Sequence, residues 1–459
     1  MQIFNRTIAA LSTPPGKGGV ALIRISGEEA LAVAERIFHA RNGEPVSSLP
    51  SRYAAYGDIL LDGKAIDDVL LTVFRAPASY TGEDTVEIAC HGAMLITESI
   101  LSALYAAGAH PASAGEFTRR AHMAGKLSLS EAEAIGELLD AKSMAQIKLF
   151  GRDSRSKLSQ ALEALYGEVS DLLSSLCAKI DYPDEDLAEL STDEILDRIT
   201  ATEARARRLL ATYQTGRAVT EGISTVLLGK PNTGKSSLYN LLCGKDAAIV
   251  TDLAGTTRDL LEATVPLGRV LLRLTDTAGV RETDNPVERI GVARAKEAAG
   301  DASLIIALFD ASSPLDAEDE ALLSFLDTLS GEKIILLNKN DLPAVLDVKH
   351  LSGHAKHVLP FSAKAGDLSA LTALVDRLFT DGDIRLGDDA VLFSARSHAA
   401  LFRGCECLST AMEALRSGYA VDAALTDLEG ALSAFAETDG RGVGDDIVAG
   451  IFSKFCVGK

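Results

Sequence analysis

The sequence has no tryptophan and few other aromatics, with nine Tyr and fourteen Phe in 459 residues. Its cores must therefore be built from aliphatic side chains, and a hydrophobic fraction of 47% supplies enough of them for several domains. No apolar run reaches the ~18 residues needed to span a bilayer. The start, Met1-Gln2-Ile3-Phe4-Asn5-Arg6, lacks the charged-then-apolar build of a signal peptide. These absences imply a cytoplasmic protein with no membrane association. Six cysteines, at 90, 177, 243, 405, 407 and 456, are too few and too scattered for a disulfide framework. Cys405 and Cys407 form a C-x-C pair within a helical pattern. With no second ligand pair nearby, they read as packing residues rather than a zinc site. Positive charge is also scarce: 45 Lys and Arg stand against 65 Asp and Glu, a formal net charge of −20. That argues against broad, nonspecific nucleic-acid binding but leaves room for a local basic patch or for a basic partner protein that supplies the phosphate contacts. The stretch 142–157, with Lys142, Lys148, Arg152, Arg155 and Lys157, is the best such patch, although a solvated helix face is its commoner meaning.

What is present is a change of period along the chain. Residues 1–120 carry short strand-like runs such as Val20–Ile25, Val69–Phe74 and Thr85–Cys90, broken by Gly and Pro, with a helix over 92–107. From about 121 to 213 apolar residues recur at three- and four-residue steps, as in Leu158–Leu176 and Thr192–Tyr213. Gly216–Thr220 reads as a linker. Residues 222 to about 380 alternate strands and helices, as in a parallel sheet wound with helices. Residues 390–452 return to helical spacing. The expected architecture is multidomain α/β and α. It has an N-terminal α+β domain over 1–120 and a discontinuous helical domain over 121–216 and 383–459. An α/β domain over 217–382 is inserted between the two helical segments.

The inserted segment carries the strongest motif. Gly229-Lys230-Pro231-Asn232-Thr233-Gly234-Lys235-Ser236 fits G-x-x-x-x-G-K-[ST], with the strand Ile223–Leu228 before it and a helix over Ser237–Leu242 after it. Such a loop turns backbone N–H groups inward around phosphate oxygens. Lys235 neutralises the β- and γ-phosphates, and the Ser236 hydroxyl can ligate Mg²⁺. Asp276-Thr277-Ala278-Gly279 follows the strand Val270–Leu274, which suits Mg²⁺ at Asp276 and the γ-phosphate at the Gly279 N–H. In Thr251-Asp252-Leu253-Ala254-Gly255-Thr256-Thr257, a hydroxyl, best that of Thr257, can complete the Mg²⁺ shell. Asn338-Lys339-Asn340-Asp341 closes the strand Ile334–Leu337, and Asp341 can accept from the guanine N1–H and 2-amino group, a pair of donors adenine lacks. Ser362-Ala363-Lys364 would support guanine O6 from the backbone. Together these motifs describe a Ras-like P-loop GTPase domain. Val280 stands where small GTPases place a water-orienting Gln, so catalytic help must come from elsewhere. Glu288 is one candidate; by its own chemistry it is better read as the third residue of a helix capped by Asn285 and opened by Pro286.

Outside the inserted domain, further motifs resemble one family, the MnmE (TrmE) tRNA-modification GTPases. They are Thr7-Ile8-Ala9-Ala10, Pro14-Pro15-Gly16-Lys17-Gly18-Gly19-Val20, Arg24-Ile25-Ser26-Gly27, Tyr80-Thr81-Gly82-Glu83-Asp84, Gly115-Glu116-Phe117-Thr118-Arg119-Arg120-Ala121, Gly125-Lys126-Leu127, Glu131-Ala132-Glu133-Ala134-Ile135 and the terminal Cys456-Val457-Gly458-Lys459. The departures are slight: Val457 where the family usually has Ile, and His122-Met123-Ala124 in place of apolar and Asn residues.

The resemblance implies an N-terminal folate-binding-like domain that dimerises. It implies a homodimer working with an FAD-containing MnmG (GidA)-like protein, with tRNA engaged through that complex. The implied reaction adds an aminomethyl-type (carboxymethylaminomethyl) group to C5 of the wobble uridine, using a one-carbon unit from 5-formyltetrahydrofolate or a related reduced folate. It assigns folate contacts to Arg24, Glu83, Lys126 and Lys459. It assigns K⁺ ligands to Asn232, Thr251, Leu253 and Thr256. It makes Glu288 the catalytic acidic residue, which reverses the preference for a cap without excluding that it also caps the helix. Ser237, with the loop residues above, completes the expected GTP contacts. Cys456 is either a reactive thiol or a small residue buried near the folate. A competing reading is a GTP-dependent switch in ribosome assembly, which would need neither a folate site nor this tail.

Overall fold

The computed structural model describes residues 6–61, 63–181, 190–244, 262–275 and 299–458. They cluster into two units, one of Met1–Leu139, Ser159–Thr202 and Arg403–Lys459, the other of Asp140–Leu158 and Glu203–Phe402.

The first unit is built on a seven-stranded sheet: β1 (Ile8–Leu11), β2 (Gly18–Ser26), β3 (Phe38–Ala40), β4 (Ala54–Leu61), β5 (Lys64–Phe74), β6 (Thr85–Gly92) and β7 (His110–Pro111), in the order β3-β4-β5-β6-β2-β1-β7. Only the β1–β7 pair is parallel. Period-two alternation decides the faces. Ile23, Ile25, Val69, Leu71, Val73, Val86 and Ile88 turn one way, into a core shared with Val33 of the helix Ala30–Glu35 and with Ile100 and Leu104 of the helix Met94–Ala106. Arg24 lies between two of these core positions and so points to the other face. There Ile8, Ala10, Ala112 and Phe117 form a smaller cluster with Tyr80 packed against it.

The expected helical spacing is present as buried stripes. In the helix Arg152–Asp181, Leu158, Leu162, Leu165, Val169, Leu172 and Leu176 are buried at steps of four and three. Ile195, Ile199, Thr202, Ala206 and Leu209 do the same in Thr192–Ala211, and Leu401, Cys405, Leu408, Met412 and Leu415 in Ala395–Arg416. No helix among the described residues is long and apolar enough to cross a membrane.

The second unit holds a six-stranded sheet: β8 (Ile223–Leu228), β9 (Glu262–Leu267), β10 (Val270–Thr275), β11 (Leu304–Asp310), β12 (Glu332–Asn338) and β13 (His357–Pro360), in the order β13-β12-β11-β8-β10-β9. All neighbours are parallel except β9 and β10. Both faces are covered, which is why the strands read as continuous apolar runs. Leu304, Ile306 and Leu308 of β11 enter one core, while Ile305, Ala307 and Phe309 enter the other.

One expectation fails. Gly216–Thr220 is not a linker; it belongs to the helix Tyr213–Thr220. A Cβ on Gly216 would come within 2.0 Å of the Leu392 carbonyl oxygen. The glycine is there for close approach of two backbones rather than for freedom. Flanking threonines fix the same contact: Thr212 Oγ1 accepts from the Leu392 N–H at 2.9 Å and Thr215 Oγ1 from the Asp381 N–H at 2.9 Å.

Candidate nucleotide site and a second charged site

β8 ends at Leu228 and the helix Lys235–Cys243 begins seven positions later, so the intervening loop must reverse the chain in a short span. It does so with Gly229 at φ 152°, Asn232 at φ 64° and Gly234 at φ 100°. Asn is among the few non-glycine residues that tolerate the left-handed region. Gly234 could be nothing else, since a Cβ would lie 2.0 Å from Asn338 Nδ2. That amide is the link between loops. Asn338, at the end of β12 and buried, donates from Nδ2 to the Thr233 carbonyl at 2.7 Å and accepts at Oδ1 from the Ala363 N–H at 2.9 Å. One side chain thus joins the phosphate loop to the 362–364 loop. Asn340 N–H donates to the Phe361 carbonyl at 3.1 Å, and Ser362 Oγ donates to Asp341 Oδ1 at 2.8 Å. The Ser362 hydrogen bond holds the exposed Asp341 carboxyl below its ordinary value. Lys235 Nζ is held by the carbonyls of Gly229 at 2.6 Å and Lys230 at 2.8 Å, and burial lowers its pKa. Ser236 and Ser237 are exposed in the first turn of the helix, where unpaired N–H groups and the helix dipole favour an anion.

Three of the residues expected to hold folate, Arg24, Glu83 and Lys126, lie around the segment 77–87. Arg24 donates from Nε to Glu87 Oε1 at 2.9 Å, and its guanidinium carbon lies 5.3 Å from the Tyr80 ring centre and 5.6 Å from that of Phe117. Glu83 accepts from Ser26 Oγ at 2.7 Å and from Arg120 at 2.9 and 3.2 Å. Arg120, only 3% exposed, also donates to Glu116 at 2.8 Å and to the Arg6 carbonyl at 3.0 Å. Burial would raise the Glu116 carboxyl, but hydrogen bonds from Ser113 and Arg120 outweigh it and leave the group below its ordinary value. Lys126 Nζ donates to the carbonyls of Pro77, at 2.9 Å, and Ser79. Its stem passes Gly82, at φ 84°, where a Cβ would be 3.4 Å from Lys126 Cδ. The C-terminal tail packs at the Leu11 end of β1, the end opposite Ile8 and its partner Ser26. Val457 bridges to Ala114, and the Gly458 carbonyl accepts from Ser12 Oγ at 3.0 Å. A Cβ on Gly458 would meet the Leu11 carbonyl at 2.2 Å. Cys456 is exposed, so of its two sequence readings burial is excluded.

Residues 7–126 match the sequence profile of the GTP-binding protein TrmE N-terminus, and residues 129–456 match that of the MnmE helical domain. The chain belongs to the MnmE family. Relatives named tRNA modification GTPase MnmE are similar throughout. The Listeria innocua protein is 39% identical over 457 residues, covering 99% of both chains. That of Carboxydothermus hydrogenoformans is 37% identical over 468 residues, covering 100% of both.

In this MnmE-family chain the structure brings Asn232–Ser237, Asn338–Asp341 and Ser362–Lys364 to the C-terminal ends of β8, β12 and β13. Thr251, Leu253, Thr256, Thr257, Asp276, Thr277, Ala278, Gly279, Glu288 and Lys459 lie outside the described residues, as does the proposed cap at Asn285 and Pro286. Sequence reasoning missed Arg120 as a site-forming residue. Its signal was available: Glu116 and Arg120 are spaced i,i+4, but that spacing usually marks a solvated surface pair.

Proposed function

We propose that this chain is a GTP hydrolase acting in tRNA modification. The inserted domain would span 217–382, between helical segments 121–216 and 383–459, after an N-terminal folate-binding and dimerising domain over 1–120. The observation that carries the GTP reading is Asn338, whose amide ties the phosphate loop to the 362–364 loop while Asp341 presents its carboxylate beside Ser362. A phosphate entering the loop competes for the Lys235 ammonium with two neutral carbonyls, and charge-assisted bonding favours the phosphate. Asp341 selects guanine by accepting from N1–H and the 2-amino group. Ser236, exposed at the helix start, fits a Mg²⁺ ligand, with Thr257 completing the shell; the ion would neutralise charge between the β- and γ-phosphates. Asn232, exposed on the same loop, suits a K⁺ ligand with the 251–256 segment, a cation that would supply the positive charge an arginine finger gives elsewhere. Glu288 would orient the attacking water.

In the N-terminal domain, Arg24, Lys126 and Lys459 would meet the carboxylates of a reduced folate. Glu83, a carboxylate already fixed by Ser26 and Arg120, would accept from the pterin edge. The homodimer would act in the cytoplasm with an FAD-containing MnmG/GidA-like partner on C5 of the wobble uridine.

The test has two arms. Purified protein should turn over GTP with Mg²⁺, faster in K⁺ than in Na⁺ at fixed ionic strength; equal rates reject the K⁺ site. A strain lacking the gene should lose the modified wobble uridine by mass analysis of tRNA nucleosides. An unchanged nucleoside profile with defective ribosome assembly would replace the tRNA reading.

A further inference from the structure

No sequence motif covers the segment joining β11 to the helix Ala317–Asp327, yet it holds lysines from both nucleotide loops. Asp310, the last residue of β11, accepts from Lys339 Nζ at 2.6 Å. Lys339 stands at φ 62°, a conformation that a long side chain adopts only when its surroundings hold it there. The next residue, Ala311, continues the attachment: its N–H donates to the Asn338 carbonyl at 2.9 Å, and its own carbonyl accepts from Val345 N–H at 2.9 Å. Six positions after Asp310, Asp316 caps the helix in a reciprocal box with Asp319. Both carboxylates of that box also face the phosphate loop, because Lys230 Nζ lies 2.8 Å from Asp316 Oδ2 and 2.7 Å from Asp319 Oδ2.

The Asp319 end of this contact is the demanding one. Its side chain is 4% exposed, and its second oxygen, Oδ1, is buried with no hydrogen-bond partner among the described residues. A buried carboxylate so poorly satisfied depends on its neighbouring cation. Lys230 in turn is where the phosphate loop closes on itself: its carbonyl accepts from Thr233 Oγ1 at 2.8 Å and from Lys235 Nζ at 2.8 Å. A shift of Lys230 therefore moves the acceptors that place Thr233 and Lys235.

We propose that Asp310, Asp316 and Asp319 form an acidic bracket that positions the phosphate loop through Lys230 and the base loop through Lys339, and that the Lys230 arm sets how slowly nucleotide leaves. The inference rests on the GTP-binding reading above. Lys230 and its partners are positioning residues; none needs to touch the reacting phosphate. Holding the loop in its binding shape acts on affinity, and chiefly on the dissociation rate.

The test uses the full-length chain, a fluorescent GDP analogue for release, and steady-state GTP turnover. Lys230→Met keeps the aliphatic stem and removes the charge. It should speed GDP release on the order of tenfold and raise KM in parallel, with the loss falling on KM rather than kcat. Lys230→Arg, which can still pair with both carboxylates, should stay within about twofold of wild type. Asp316→Asn, at the more exposed arm, should speed release by about two- to fourfold, and combining it with Lys230→Met should add nothing further. Wild-type release from Lys230→Met overturns the proposal, as does Lys230→Arg as impaired as Lys230→Met, or a full additive loss in the double variant. If Lys230→Met does not fold, Lys230→Arg and Asp316→Asn decide it by the same release assay: Asp316→Asn releasing at the wild-type rate, or Lys230→Arg releasing tenfold faster, overturns it. A wild-type chain that binds no guanine nucleotide would instead sink the GTP reading itself.

Discussion

The turns of the phosphate loop are set by backbone geometry and only braced from outside by the Lys230 contact with Asp316 and Asp319, whereas the site around Glu83 is itself built from charged side chains. In the first, Gly229, Asn232 and Gly234 supply left-handed turns, and Asn338 fills space that any Cβ on Gly234 would take. In the second, Arg120 sits between Glu116 and Glu83, and Arg24 is clamped to Glu87 against two aromatic rings. Glycine geometry leaves a local signature in sequence. A charge network assembled from positions 24, 83, 87, 116 and 120 leaves almost none. The two regions should therefore also break differently: one by adding an atom, the other by removing a charge.

The largest effect is expected from Arg120→Met. It would leave the buried Glu116 carboxylate, 4% exposed, and Glu83 without their shared cation. Breaking a buried pair by removing one partner costs ~3–5 kcal/mol. Urea unfolding should register that loss in the first unit, while GTP affinity in the second stays unchanged. A cost under ~1 kcal/mol, within the range of an exposed pair, would dissolve the contrast between the two sites.

Gly234→Ala comes next. The new Cβ would meet Asn338 Nδ2 at 2.0 Å on a residue held at φ 100°. Left-handed strain and overpacking each cost ~1–3 kcal/mol. The loss should appear in GTP affinity, with folding of the N-terminal sheet unaffected. Calorimetry giving wild-type affinity would mean that the loop tolerates a side chain the geometry excludes.

These two positions also mark what was legible in advance. The strand-loop-helix order around Gly234 reads directly from the sequence, because the turn demands particular residues within eight positions. The strand expected over Ile223–Leu228 has those same bounds in the structure, and the helices along 158–176 and 192–211 follow from three- and four-residue aliphatic spacing. Gly216 was misread because its helix is dictated by the Leu392 backbone, far away in sequence, while a lone glycine near a polar stretch looks like a hinge. Arg120 and the Asp316–Asp319 box were passed over for a related reason. On a helix their spacing resembles ordinary surface charge, and only tertiary packing buries Arg120, Glu116 and Asp319. The folate contacts carried to Arg24, Glu83 and Lys126 came from resemblance alone, although the structure does place all three along the 77–87 segment.

Asp341→Asn tests the nucleotide side at a point where chemistry matters more than shape. The exposed Asp341 carboxylate is bonded to Ser362 and nothing about its backbone is constrained by a glycine. Losing a hydrogen bond to a charged group costs ~1.5–3 kcal/mol, or roughly 10–100-fold in GTP affinity. Xanthosine triphosphate, whose 2-oxo group suits an amide donor, should gain relative to GTP. Affinities that keep the wild-type ratio would remove Asp341 from base selection.

The smallest effect expected is one of pH, and it separates the regions by sign of charge. Glu116 is a carboxyl depressed in the folded chain. Burial alone would raise it, but bonds from Ser113 and Arg120 bring it below its ordinary 4.5. In the window below 4.5 the unfolded chain binds the proton first, so stability rises with pH there. The contribution is fully present above that window and is lost as pH falls through the folded value. Lys235 is the opposite case, an ammonium depressed by burial from its ordinary 10.5. The unfolded chain again holds more protons, but now in the window below 10.5, so removing this charge relieves the fold at neutral pH. Glu116→Gln should therefore cost stability at pH 7, and the gap to wild type should close as urea unfolding is repeated from pH 5 to pH 3. Lys235→Met should do the reverse in stability, leaving the nucleotide-free chain equally or more stable at pH 7. A Glu116→Gln gap that stays constant with pH would show that the side chain acts by shape rather than by charge. The N-terminal site would then be held as the nucleotide loop is, by geometry.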